Sequence, residues 1–129
     1  MMITNKETII KLSKLLGLKY TGREQDWAIE FADPNKIPLF ISAALNENLS
    51  IEERQALMSI ILASYGEYLT TNSNVDKSIE STMVELLDQD KVHYEELLNY
   101  WATWNEQSSD NWFAITPFVR AYLRGHLSN

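Results

Sequence analysis

Apolar residues recur at three- and four-residue intervals in one segment after another of this 129-residue chain. Only the stretch from Pro38 to Ser42 also reads as a strand, and no second strand signal exists for it to pair with. A short strand there stays possible, but helix is preferred on pairing grounds. The expected fold is all-α: one compact domain over residues 1–129, of about six to seven helices.

The helix signals can be followed along the chain. Thr4-Asn5-Lys6-Glu7 has the form of a capping box, after which Ile9, Leu12, Leu15 and Leu16 mark a helix that Gly17 stops. Trp27 and Phe31 predict a short helix ending at Asp33-Pro34. Pro38 suits the first turn of a helix carrying Leu39, Phe40, Ile41, Ala44 and Leu45. Ser50-Ile51-Glu52-Glu53 is a second capping box, and Leu57, Met58, Ile60, Ile61, Leu62, Tyr65, Tyr68 and Leu69 then cover more than one side, as in a central helix. The Thr70-Thr71-Asn72-Ser73-Asn74 cluster reads as a flexible loop.

Val75, Ile79, Met83, Leu86 and Leu87 mark a fifth helix, broken or bent at Asp88-Gln89-Asp90. Tyr94, Leu97, Leu98, Trp101 and Trp104 mark a sixth. Asp110 reads as the cap of a turn presenting Trp112 and Phe113, and Thr116-Pro117 as the cap and first residue of a last helix.

Charge narrows the function. Residues 24–110 hold 17 acids against Lys36, Arg54, Lys77 and Lys91, a net of −13, while both ends are positive and the whole chain carries −7. Such a body repels nucleic-acid phosphates and anionic lipid and raises the encounter rate with a cationic protein. Cysteine is absent, which removes disulfides, thiolate metal sites and cysteine nucleophiles and fits a reducing compartment. The first residues show no signal peptide, and no apolar run approaches the ~20 residues of a membrane span. A cytoplasmic protein without membrane contact is expected.

Few groups could carry chemistry. The two histidines, His93 and His126, cannot make a multi-histidine metal site. Asp90, His93 and Glu95 or Glu96 share helical spacing, which reads as a helix cap followed by solvated side chains. No Gly-rich phosphate loop is present. No cofactor, metal or catalytic residue is assigned. Arg120 and His126, with five residues between them, resemble the arginine-histidine motif of HEPN nucleases, all-α enzymes in which the histidine would act as acid or base and the arginine would stabilise phosphorane-like charge. Here Ala121 stands where that motif has a polar residue, and Gly125 adjoins His126. The alternative role for Arg120 and Arg124 is to complement a helix C-terminus.

The acids Asp76, Glu80, Glu85, Asp88, Asp90, Glu95 and Glu96 are answered only by Lys77 and Lys91, and Trp104 and Trp112 flank the polar run 105–110. Carboxylates beside aromatic anchors make these nine residues the candidate partner-binding set. Trp101 is expected in the core with Leu97, Leu98 and Tyr94.

The run 25–33 (Gln-Asp-Trp-Ala-Ile-Glu-Phe-Ala-Asp), the capped start Ser50-Ile51-Glu52-Glu53-Arg54 and the segment 112–120 (Trp-Phe-Ala-Ile-Thr-Pro-Phe-Val-Arg) resemble small bacterial immunity proteins, in particular those of contact-dependent growth inhibition. That resemblance implies a cytoplasmic antidote that binds a basic toxin domain, usually a nuclease, and blocks its active site or substrate path. It implies no enzyme activity. A HEPN-like ribonuclease and a helical adaptor or regulator are the alternatives.

Overall fold

The protein's structure, a computed structural model, describes residues 5–72 and 74–127. Among the described residues there are seven α-helices and no strand, so the fold is all-α. Backbone contacts gather into two units, one up to Tyr68 and one from Leu69 onward.

In the first unit, α1 (Lys6–Leu16) is capped by Asn5, whose side chain accepts the Thr8 N–H at 2.8 Å. The cap is thus Asn5, and Thr4 lies outside the described residues. The helix stops as expected at Gly17, whose φ of 70° lets Gly17 donate to the Lys14 carbonyl and Leu18 to that of Ser13. Its buried face is Thr8, Leu12, Ser13 and Leu16, while Leu15 is exposed. The expected stripe is rotated because the buried Trp27 indole needs an acceptor and donates to Ser13 Oγ at 2.9 Å.

α2 (Trp27–Glu30) is a single turn capped by Asp26, with Phe31 just beyond it. A 3-10 turn, Pro34–Lys36, leads into α3 (Ile37–Asn46), so the Pro38 stretch is helical, with proline in the first turn where its missing N–H costs nothing. α3 buries Ile37, Phe40 and Ala43.

α4 (Ile51–Thr71) opens on the expected reciprocal box: Ser50 N–H donates to Glu53 Oε1 at 2.7 Å and Glu53 N–H to Ser50 Oγ at 3.1 Å. Every residue from Ala56 to Tyr65 is buried, as a helix that is apolar all round must be. Glu53 is buried too. Lys11 stands 2.6 Å from its carboxylate, and that bond, followed by the Ser50 N–H, holds the carboxyl below its ordinary range. The helix runs through Thr70 and Thr71, which the composition of that stretch had assigned to a loop.

In the second unit, α5 (Lys77–Gln89) is capped by Asp76 and buries Met83, Val84, Leu86 and Leu87. The break beyond Asp88 is present: a 3-10 turn, Lys91–Tyr94, precedes α6 (Glu95–Ala102). α6 packs on α7 (Thr116–Leu123). Three details differ from expectation. α6 ends before Trp104, because Thr103 turns left-handed at φ 44° and ψ 54°. Asp110 lies inside the turn Ser109–Asn111 instead of capping it. Thr116 is the first residue of α7, with its hydroxyl turned away from the helix start and donated to the Trp101 carbonyl at 2.8 Å.

Candidate functional site

The C-terminus of α6 leaves carbonyls that no helix bond can reach. α7 supplies the missing donors. Besides Thr116 on Trp101, Arg120 Nε donates to the Ala102 carbonyl at 2.7 Å, and Arg120 Nη2 donates to those of Thr103 at 2.7 Å and Glu106 at 2.9 Å. Arg120 is 8% exposed, and the partial negative charge of the helix end compensates the desolvation of its guanidinium. It also lies over the Trp112 ring at 4.0 Å, while the Trp112 indole donates to the Glu106 carbonyl at 2.9 Å. Trp112 is therefore part of the frame that shapes the 103–115 loop.

That frame projects Trp104 outward, 42% exposed. The indole N–H donates to Asn99 Oδ1 at 2.8 Å, and the guanidiniums of Arg120 and Arg124 each lie 5.2 Å from its ring centroid. Two grooves meet at Asn99 and Trp104. The first, of about 630 Å³, has Leu98 and Leu123 beneath Val92 and Trp104, with Lys91 and Glu95 at its edge. The second, of about 620 Å³, runs past Tyr100, Thr103, Asn105, Glu106, Asn111 and Phe113.

The seven predicted acids divide by role. Asp76 spends its carboxylate on the start of α5, where bonds from the Ser78 hydroxyl and N–H hold it below its ordinary range. Glu80 stands 3.8 Å from Lys77. Asp88 accepts the Tyr122 hydroxyl at 2.7 Å; burial first, and this bond second, push the phenol well above its ordinary range. Asp90 begins the turn at 91–94 without a side-chain cap bond and is half-buried. Glu85, Glu95 and Glu96 are exposed and, among the described residues, have no hydrogen bond or ion pair. Of the seven, only Glu95 lines a groove with Trp104.

No family model, curated protein or solved structure matches the chain. Among the described residues no group of three His, Asp or Glu side chains could hold a metal, and no helix is long and apolar enough to cross a membrane. His126 is exposed and lies beyond the end of α7, past Gly125 at φ 77°. Of the groove residues the predicted binding set held only Glu95 and Trp104; Val92, Asn99, Leu123 and Phe113 are among those it missed. The one local signal was the spacing of Asn99 from Trp104 across a helix end, and it is visible only once Thr103 is known to turn left-handed.

Proposed function

We propose that this chain is an immunity-type binding protein that neutralises a basic toxin domain, a nuclease of the RNase type, by covering its active site or substrate path. The observation that carries the reading is the set of exposed, unpaired carboxylates Glu85, Glu95 and Glu96, in a segment (76–96) whose seven acids face two lysines for a net of −5. A nuclease must hold positive charge where the phosphate backbone runs. Carboxylates at a protein surface meet that charge as phosphates would, and speed the encounter.

The test is titration calorimetry between this chain and the toxin domain encoded by the adjacent reading frame, repeated with Glu85, Glu95 and Glu96 changed together to Gln. Tight binding that the triple variant weakens at least about tenfold is expected. A neighbouring product that does not bind, or that binds the triple variant equally well, removes the reading. The ribonuclease alternative draws no support from Arg120, whose Nε and Nη2 are committed to three backbone carbonyls. An RNA cleavage assay of the wild type and His126→Ala is expected to show no activity in either.

A further inference from the structure

The three large apolar side chains that residues 69–127 leave exposed are Val92, Trp104 and Phe113, and all three lie on the two grooves that meet at Trp104. Apolar side chains exposed singly are ordinary, and what sets these three apart is that they line adjoining grooves, where one partner could reach them together. Trp104 is moreover held still. Asn99 fixes its indole N–H, two guanidiniums flank its ring, and Thr103 adopts a left-handed backbone unfavourable to a β-branched residue. A half-exposed tryptophan immobilised before binding has the property of an interface anchor, because it loses little freedom when a partner arrives.

We propose that these grooves dock a short extended segment of a cationic protein, which seats one apolar side chain between Val92 and Trp104 and lays its Lys or Arg residues over Glu95 and Glu106. The proposal rests on the binding reading above and adds the place and chemistry of the anchor. The first groove suits the side chain, since Leu98 and Leu123 form its apolar floor. The second suits the backbone. Asn105 brings an amide, Asn99 keeps its NH2 group beyond the acceptor given to Trp104, and Asn111 keeps its carbonyl oxygen beyond the NH2 that it donates to Glu106 Oε1 at 3.3 Å. Charge selects a basic partner even with the arginines beside Trp104 counted: residues 76–124 carry nine acids against Lys77, Lys91, Arg120 and Arg124, a net of −5, while Arg120 is spent on backbone carbonyls and Lys91 is drawn over the Tyr122 ring at 5.1 Å.

The experiment is selection of a phage-displayed library of random peptides on the immobilised full-length chain, followed by fluorescence polarisation of the enriched peptides against wild type, Trp104→Ala and Val92→Glu. Val92 is 73% exposed, so its variant alters the seat without touching the core, and circular dichroism checks both folds. Enriched sequences are expected to pair one large apolar residue with Lys or Arg, and to bind each variant at least about tenfold more weakly. Failure to enrich any sequence, enrichment of acidic or uncharged sequences, or equal binding to Val92→Glu overturns the proposal. The adjacent toxin domain separates the two readings. If it binds Val92→Glu as it binds wild type but loses affinity for Glu95→Gln with Glu96→Gln, the docking site falls and the antidote reading stands. If anchored peptides emerge while that domain does not bind, the docking site stands and the antidote reading falls.

Discussion

Arg120 shows how much one side chain decides here. Its planar fork reaches three carbonyls from two nitrogens, a geometry that a lysine ammonium cannot reproduce. Arg120→Lys is therefore expected to lower stability by about 2 kcal/mol in urea unfolding, since buried carbonyls lose their partner while the charge remains. Thr103 makes the opposite case. Its φ of 44° is disfavoured for a β-branched residue, and its buried hydroxyl has no partner. Relief of both outweighs the extra chain entropy of glycine, so Thr103→Gly is expected to raise the thermal midpoint, with a gain of about 1 kcal/mol. The Thr103 role was not legible in the sequence, and for Arg120 only the kind of partner was: a helix C-terminus, read as that of its own helix where the structure has that of α6. Arg120 stood out in the sequence for its spacing from His126, yet its partners lie 14 to 18 residues away, at the end of α6 and in the loop after it, whose path depends on Arg120 itself.

At the scale of elements, what is local in sequence was readable, and what depends on a distant partner was not. Ser50 and Glu53 close their box within one turn, Gly17 ends α1 by its own backbone, and Pro38 sits in a first turn where its missing donor is harmless. By contrast, the exposed Leu15 and buried Ser13 follow from Trp27, fourteen positions after Ser13, and Trp104 left its expected helix because α7 caps α6 early. The Ser50–Glu53 box gives a stability prediction of its own. Ser50→Ala is expected to cost about 1 kcal/mol. The folded Glu53 carboxyl lies below its ordinary value of 4.5, chiefly through Lys11, so its contribution is complete above that pH and is lost as pH falls through the folded value. Urea midpoints measured from neutral to acidic pH should decline below about pH 4.5 in the wild type. They should decline less steeply in Lys11→Met, where the carboxyl has lost its main support.

For the whole molecule, the acid–base imbalance and the pinned tryptophan would act on different parts of the proposed association. Long-range attraction operates before contact, so the net charge of −7, concentrated as −13 over residues 24–110, should set how fast a cationic partner arrives. In the proposed docking Trp104 and Val92 would touch the partner only after arrival and should set how long it stays. Stopped-flow binding of the proposed basic toxin partner is expected to show an association rate that falls with added salt, because screening shortens the reach of exposed carboxylates to about 10 Å at 0.1 M. Changing Glu85, Glu95 and Glu96 to Gln should slow association by about tenfold and flatten that salt dependence, with little change in dissociation. Trp104→Ala and Val92→Glu should instead speed dissociation by about tenfold or more. A triple variant that alters only dissociation would mean that these carboxylates sit inside the contact rather than around it. The interface would then have to be centred on the end of α5 and the start of α6 instead of on the grooves beside Trp104.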